Sequence, residues 1–360
     1  MVTMLDCIMR TPLRLIGVLN GWKDNSAACM KQLESAVGQL EQIIFVGSGT
    51  SNTAAITSRA FVEKASGLQS RTMTPNEFLY GTKVYPERSL YVFTSQTGTS
   101  IVSREALKLV REMGLPAIAI TESEETVMAG EADLHLTMGC GYEEHPMRTI
   151  GYSCSVLVHM LLGMELGLRR GYMDETRFHQ LTEDAFLAVN NQPAVIEAAI
   201  NWMERAKHLM LRAECIIFTG ADELYGVSLE GAMKVWETPQ IPCVGYEIEE
   251  GIHGPNYGYS SRHSVIVLNG GGREQEKLLA LAAYMKDIYG SGLVAGTKVL
   301  DDRDLQLEIR SRDFKAMEFA PVVQCIAYQL AVDFGRDMSL PHDNSRMERY
   351  FVTHSESVGS

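Results

Sequence analysis

The stretch IIFVGSGTS, residues 43–51, shows the unit from which the fold is built. It starts with a run of β-branched and aromatic residues, Ile43 to Val46, which is typical of a strand buried in a parallel sheet. A polar turn follows, and a helix is predicted from Thr53 to about Ala65. A strand that leads through a polar turn into a helix is characteristic of α/β proteins.

The same order of strand, turn and helix recurs in the first half of the chain. Residues 90–93 and 117–120 are predicted strands, and residues 134–136 are predicted to form a short edge strand. Helices are predicted from Ile101 to about Met113 and from Ser153 to Leu166. This alternation predicts an α/β fold with a parallel, doubly wound sheet.

The second half of the chain repeats the pattern. Residues 216–220, IIFTG, resemble residues 43–47, IIFVG. A further strand is predicted at residues 264–268, and helices are predicted at residues 274–289 and 319–334. An internal duplication is the simplest explanation, and it predicts two tandem three-layer domains of the flavodoxin-like type.

The chain is therefore predicted to have four parts. They are a helical arm at 1–34, a first domain at 35–185, a second domain at 186–340 and a polar tail at 341–360. Pro12 is expected to mark a helix start within the arm. The connector at 168–212 is expected to be mostly helical, with a break near Asn190-Asn191-Gln192-Pro193.

The composition argues against several classes of function. The formal net charge of -13 disfavours nucleic acid as a partner, because phosphate backbones need clustered Lys and Arg. No apolar run approaches roughly 18 residues and the N-terminus lacks a signal-peptide core, so no membrane association is expected. The seven cysteines are scattered and never in CxxC spacing, which favours reduced thiols in the cytoplasm and argues against a zinc site, so no metal is expected.

Two polar turns, residues 47–51 and 94–100, lie between a strand end and a helix start. Hydroxyls and backbone N–H groups at such a place favour an anion. The turns therefore predict a phosphate site, with hydroxyl donors from Ser48, Thr50, Ser51, Ser95, Thr97 and Ser100. Alternatively, these residues serve only as helix N-caps. Neither turn matches a P-loop or G-x-G-x-x-G, which disfavours a nucleotide.

The second copy has different chemistry. In place of residues 47–51 it reads Gly220-Ala221-Asp222-Glu223-Leu224, whose acidic groups would repel a phosphate. Downstream, a predicted helix carries Glu230, Lys234 and Glu237 at spacings of four and three, and the turn EGIHGP places His253 after it. Two acids, a base and a histidine suit acid–base catalysis, although a surface salt-bridge ladder and a turn histidine would have the same spacing.

Taken together, these motifs resemble the double SIS (sugar isomerase) domain family. The closest resemblance is to the isomerase half of glucosamine-6-phosphate synthase and to its sugar-amine deglycase relatives, and it covers nearly all of residues 35–345. The matching motifs are Ser48-Gly49-Thr50-Ser51, Ser95-Gln96-Thr97-Gly98-Thr99-Ser100, Leu229-Glu230-Gly231-Ala232-Met233-Lys234, Glu237 and Glu250-Gly251-Ile252-His253-Gly254-Pro255.

The resemblance implies that the two turns bind a sugar phosphate, with Gly49 and Gln96 among the binding residues. Thr149 lies near a position where the family often has a phosphate- or sugar-binding serine. No cofactor is implied.

The resemblance also implies catalytic roles. Glu237 matches the carboxylate that moves a proton between C1 and C2 of the sugar, and Glu230 and Lys234 match polar residues of the same site. His253 matches the histidine that opens the sugar ring, commonly from a neighbouring subunit. A homodimer or higher homo-oligomer with shared active sites is therefore expected.

Two departures from the family pattern bear on the reaction. The synthase has an N-terminal glutaminase domain with a nucleophilic cysteine. Here Cys7 lies in a predicted helix, and the length of the chain leaves no room for that domain. Glutamine-dependent amination is therefore not expected. The synthase also has a C-terminal lysine that forms a Schiff base, but no lysine follows Lys315, and arginine is a poor nucleophile. A substrate that already carries an amine needs no such lysine, which favours a deglycase that splits 6-phosphorylated sugar–amine adducts.

Two alternatives stay open. The first is an aldose–ketose isomerase, or an isomerising deaminase that acts on an amino-sugar phosphate. The second is a non-catalytic sugar-phosphate sensor, although residues 1–40 contain no evident helix-turn-helix and no basic stripe. The presence of both Glu237 and His253 favours catalysis. If the tail folds over the site, His342 and His354 are further candidates for contact with it.

Overall fold

The structure is a computed structural model that describes residues 2–81, 84–339 and 345–355. It divides into two compact units, each built on a five-stranded parallel sheet. The first-sheet unit comprises Leu13–Thr182 and Pro341–Ser360, and the second-sheet unit comprises Met1–Pro12 and Glu183–Leu340. The domain boundaries inferred from the sequence stay a prediction.

The first sheet has the strand order β2-β1-β3-β4-β5, which is the flavodoxin-like order. Its strands are β1 (Gln42–Val46), β2 (Gln69–Met73), β3 (Ser89–Thr94), β4 (Ala117–Thr121) and β5 (Leu134–Thr137). All four strand pairings are parallel. The predicted edge strand at residues 134–136 is confirmed as β5, whereas β2 was not predicted because its sequence, QSRTM, is mostly polar.

Six α-helices precede the second sheet in the part of the chain that the structure describes. They are α1 (Met4–Leu33), α2 (Thr50–Ser66), α3 (Ile101–Glu112), α4 (Val127–Glu131), α5 (Ile150–Arg169) and α6 (Glu175–Leu211). By length and composition alone helix α5 could cross a membrane, although Ser, His and Glu residues interrupt its apolar sequence. Because 94% of its apolar window is buried, α5 has the environment of a core helix.

Two predictions about proline were wrong. Pro12 lies inside α1 rather than at a helix start, and α6 runs through Pro193 without the predicted break. A proline removes one N–H donor, a cost that tertiary contacts can offset. Beside Pro193, the Asn191 amide donates to the Glu308 carbonyl at 2.8 Å, and the Gln192 amide donates to the Met317 carbonyl at 2.6 Å.

The second sheet has the strand order β10-β9-β8-β6-β7. Its strands are β6 (Cys215–Gly220), β7 (Cys243–Glu247), β8 (His263–Asn269), β9 (Gly292–Gly296) and β10 (Leu305–Gln306). The remaining helices are α7 (Glu223–Glu237), α8 (Ile248–Ile252), α9 (Gln275–Tyr284), α10 (Lys315–Asp333) and α11 (Ser345–Glu348). Ranked by appearance in the chain, both sheets have the order 2-1-3-4-5, as the predicted duplication requires.

Each unit has an apolar core. Phe78, Tyr91 and Phe93 are fully buried against the first sheet, and Trp202 and Phe319 are fully buried in the core of the second-sheet unit. The seven cysteines all lie in the described ranges as free thiols, and six of them are buried.

Candidate functional site

Helix α7 brings together three of the predicted catalytic side chains. The Lys234 ammonium lies 2.5 Å from Glu237 Oε2 and 3.4 Å from Glu230 Oε1. The Glu230 and Lys234 side chains are 0% and 1% exposed, whereas the Glu237 side chain is 32% exposed. The predicted common helix face is thus confirmed. The alternative of a solvated surface ladder is wrong, because two of the three groups are buried.

Two carboxylates surround the single ammonium of Lys234. Burial by itself disfavours the ammonium form, but the carboxylates of Glu230 and Glu237 outweigh this effect and raise the pKa of Lys234. Lys234 therefore stays protonated, and its ammonium fixes one oxygen of Glu237. Since the Glu237 side chain is partly exposed, its carboxylate can reach a bound molecule while Lys234 keeps it oriented.

His253 lies directly after α8 and has a different set of contacts. Its Nδ1 lies 2.9 Å from the backbone carbonyl oxygen of Glu249 and 3.3 Å from Glu249 Oε1. The His253 side chain is 69% exposed. In the described part of the chain its polar contacts are with Glu249, so its convergence with Glu237 stays a prediction.

The first polar turn connects β1 to α2. Gly49 is the N-cap residue of α2, with φ of 57° and ψ of -130°, and no side chain caps this helix end in the described residues. The backbone closes the turn, because the N–H groups of Asn52 and Thr53 donate to the Gly49 carbonyl at 2.9 and 3.0 Å. Ser48 is exposed, and Thr50 and Ser51 are half-buried. The N-cap alternative therefore does not explain the hydroxyls of this turn.

The second polar turn connects β3 to α3, at the same sheet edge as the first, because β1 and β3 are neighbouring parallel strands. The hydroxyls of Thr97 and Thr99 lie 2.8 Å apart. Ser100 is the N-cap residue of α3, but its hydroxyl donates to Ser103 Oγ at 3.0 Å rather than capping the helix. Ser95, at the start of the turn, is buried.

The chain tail pairs with this second turn. Ser100 and His354 form an antiparallel bridge, and the Ser355 N–H donates to the Thr99 carbonyl at 2.9 Å. The first N–H of α3, from Ile101, donates to the Thr353 carbonyl at 3.2 Å. His354 is thus placed at the predicted phosphate site, and burial, together with nearby Arg148, lowers its pKa. The other candidate in the tail, His342, lies outside the described residues.

Gln96 and Thr149, two further predicted binding residues, both contact a buried carboxylate that the sequence reasoning missed. The Thr149 hydroxyl donates to Glu143 Oε1 at 2.9 Å, and the Gln96 amide donates to Glu143 Oε2 at 3.4 Å. Glu143 is 1% exposed. An acidic residue shortly before a helix start was the one available signal, because helix N-termini favour negative charge.

Three helices of the first-sheet unit thus begin at the polar edge, and they differ in what lies at their N-termini. The N-terminus of α3 donates to the tail, and that of α5 faces Glu143. At α2, the Gly47 N–H donates to the Met73 carbonyl at 3.3 Å, and the backbone hydrogen bonds described for residues 48–53 lie within the turn and the start of the helix. The first turn is accordingly the more accessible of the two predicted phosphate-binding turns.

Known proteins resemble this chain in sequence and in structure. Residues 39–164 match the SIS domain family model. The chain is 24% identical, over 331 residues, to the isomerizing glutamine–fructose-6-phosphate aminotransferase of Bacillus thuringiensis subsp. konkukian, and the match covers 91% of this chain and 54% of that protein. The chain therefore spans about half the length of the curated relatives it matches.

Two solved structures are similar over nearly their whole length. A proposed phosphosugar isomerase from Clostridium difficile 630 has a TM-score of 0.88 at 25% identity, covering 99% of this chain and 100% of that one. A proposed sugar-binding protein from Salmonella typhimurium LT2 has a TM-score of 0.79 at 26% identity, covering 91% of this chain and 99% of that one. With its two sheets of one strand order and a SIS domain match over residues 39–164, the chain is similar to SIS domain proteins and, over 91% of its length, to part of the glutamine–fructose-6-phosphate aminotransferases.

Proposed function

We propose that this chain is a phosphosugar enzyme that splits a 6-phosphorylated sugar–amine adduct into a sugar phosphate and a free amine. The observation that carries the proposal is the α7 arrangement, in which buried Lys234 orients the partly exposed carboxylate of Glu237. A carboxylate that is fixed by an ammonium group and still accessible is suited to move a proton on a bound substrate.

The phosphate is proposed to bind at the first polar turn, residues 48–51. Its hydroxyls and the N-terminus of α2 supply neutral donors and a favourable dipole. Side chains of the second turn, including Thr97 and Ser100, complete the site at the same sheet edge. Binding at this non-reacting end of the substrate would orient the carbons that react.

The reaction is proposed to begin when His253 transfers the proton that opens the sugar ring. Glu237 then removes a proton from C1 of the open-chain ketosamine, which gives an enaminol, and returns it to C2. The product is an imine between C1 and the amine nitrogen. Water adds to this imine and the amine leaves, so one water is consumed for each adduct that is split into aldose phosphate and amine.

The residue content of the tail supports a reaction that removes an amine from the sugar rather than one that adds an amine to it. Residues 341–360 contain Arg346 and Arg349 but no lysine, and arginine cannot form a Schiff base with a ketose. An adduct brings its own nitrogen, so its cleavage needs no lysine at this place. The related proteins named as phosphosugar isomerase and isomerizing aminotransferase make the alternative of an aldose–ketose isomerase or an isomerising deaminase the second candidate.

The decisive experiment incubates the chain with a panel of 6-phosphorylated ketosamines, glucosamine 6-phosphate and fructose 6-phosphate. Amine release from a ketosamine supports the deglycase. Ammonia release from glucosamine 6-phosphate, or interconversion of fructose 6-phosphate and glucose 6-phosphate alone, supports the second candidate. Tight binding of these compounds without any turnover would contradict both and would favour a sensor.

A further inference from the structure

The N-terminus of α5 contains an anion that belongs to the chain itself. Glu143 Oε1 accepts the backbone N–H groups of Thr149 at 2.7 Å and Ile150 at 3.0 Å, and Oε2 accepts the N–H of Gly151 at 3.1 Å. With the Thr149 hydroxyl and the Gln96 amide, five donors surround one carboxylate. These first-turn N–H groups have no partner within an α-helix, and the helix dipole favours negative charge there.

A short turn places this carboxylate. Arg148 donates from its guanidinium to the backbone carbonyl of Glu143 at 2.6 Å and to that of His145 at 3.3 Å. The turn between Glu143 and Thr149 is thereby closed on itself. Glu143 consequently lies where an exogenous carboxylate or phosphate would otherwise bind to a helix N-terminus.

The same carboxylate fixes Gln96. The side-chain amide of Gln96 donates to Glu143, and its backbone carbonyl accepts the Glu122 N–H at 2.8 Å. Gly151 also lies next to the Gln96 side chain, and a Cβ added at residue 151 would be 1.7 Å from Gln96 Oε1. The carboxylate at residue 143 thus supports the observed position of Gln96, and a side chain at residue 151 would displace it.

We propose that Glu143 is a positioning residue: it fills the anion site at the N-terminus of α5 and, with Gly151, sets the orientation of Gln96 and of the phosphate-binding turn that follows. The identity of the ligand rests on the proposed function, whereas the internal anion site does not. Removal of the carboxylate should therefore create a site for a small external anion and, separately, weaken binding of a phosphosugar.

The first test is independent of any enzymatic activity. In the full chain, Glu143→Ala should lower the Tm, and increasing formate should restore part of the loss, because formate can occupy the vacated carboxylate position. Neither the parent chain nor Glu144→Ala, the adjacent exposed glutamate, should respond to formate. A Glu143→Ala variant with parental Tm, or with no formate response beyond that of Glu144→Ala, would overturn the internal anion site.

The second test concerns Gln96. Glu143→Ala and Gly151→Ala should each weaken binding of fructose 6-phosphate roughly 10- to 100-fold, the effect of losing a hydrogen bond to a charged group. With a substrate that the chain converts, both substitutions should raise KM and leave kcat nearly unchanged. Glu143→Asp, which keeps a carboxylate, should raise KM less than Glu143→Ala does. If Glu143→Ala does not fold, Gly151→Ala and Glu143→Asp carry the test.

The two tests separate the possible failures. If the parent chain binds no phosphosugar, the proposed function fails, while the formate response still decides the internal anion site. If the parent chain binds fructose 6-phosphate and Gly151→Ala binds it equally well, the positioning role of Gln96 and Glu143 is refuted.

Discussion

Gly49 and Asp222 have the same backbone conformation. Their φ and ψ angles are 57° and -130° for Gly49 and 52° and -129° for Asp222, and each is the N-cap residue of the helix that follows the first strand of its sheet. An L-residue rarely adopts this conformation. The duplicated turn has therefore kept its geometry in the second-sheet unit while it lost its hydroxyls, and Asp222 retains the strain that glycine avoids.

Asp222→Gly should stabilise the chain. Strain of about 1–3 kcal/mol at a non-glycine residue in this region is relieved, and the added freedom of glycine in the unfolded chain costs about 0.5–1 kcal/mol, so a net gain of about 1 kcal/mol is expected. Urea denaturation followed by circular dichroism measures it. Gly49→Ala is the matched control and should destabilise by about 1 kcal/mol or more. Loss of stability in Asp222→Gly would contradict the conclusion that residues 49 and 222 occupy equivalent backbone positions that favour glycine.

Lys234→Met should destabilise the chain strongly. It leaves the fully buried Glu230 carboxylate without its cation, a change that costs about 3–5 kcal/mol. Lys108→Met removes the same kind of i,i+4 pair, with Glu112, from a solvent-exposed helix face, and it should cost less than about 1 kcal/mol. Equal unfolding free energies for the two variants would show that Lys234 and Glu230 are not a buried pair.

His159 should make stability depend on pH. It is buried between Ser58 Oγ at 3.2 Å and Thr94 Oγ1 at 2.9 Å, and burial lowers its pKa from 6.5 to about 3. Below pH 6.5 the unfolded chain therefore binds a proton at His159, whereas the folded chain binds it only when the pH falls to about 3. Stability contributed by neutral His159 is complete above pH 6.5 and falls toward pH 3 by about 1.4 kcal/mol per pH unit.

His159→Gln removes that titration. Between about pH 6 and pH 4, the unfolding free energy of the variant should fall less steeply than that of the parent chain. The difference between the two slopes should correspond to one bound proton. Identical slopes for His159→Gln and the parent chain would mean that folding does not lower the pKa of His159, which would contradict the prediction.

Shared active sites can be tested by mixing two inactive variants. If His253 serves the Glu237 of a neighbouring subunit, a mixed dimer of Glu237→Gln and His253→Asn contains one intact site. Random exchange in an equal mixture should then restore about one quarter of the parental rate, because about half of the dimers are mixed and each has one intact site of two. No recovery, after subunit exchange is verified, would place both residues in one subunit.

Much of the fold was predictable from hydrophobic patterning. The buried strands β1 and β3 are continuous apolar runs followed by polar turns, which is the clearest signal that a parallel sheet gives. The polar strand β2 was missed, because its pairing with β1 decides its conformation. The break predicted at Pro193 was wrong for a related reason, because contacts of Asn191 and Gln192 with distant residues support a helix that local sequence rules would end.

The candidate site was predictable only where spacing along one helix sufficed. The contacts of Lys234 with Glu230 and Glu237 follow from helix periodicity, but the burial of Glu230 and Lys234 does not. Contacts of long range gave no local signal. Glu143 reaches Gln96 across 47 residues, and the tail reaches Thr99 across 256, so neither could be found without the fold.

The central claim is that Glu237 transfers a proton on a phosphosugar bound by this chain. The most direct test compares the parent chain with Glu237→Gln, an isosteric change, for release of amine from a 6-phosphorylated ketosamine and for binding of the same compound by calorimetry. We expect Glu237→Gln to lose at least about 100-fold in turnover, with binding and Tm nearly unchanged. Parental turnover in Glu237→Gln would contradict it.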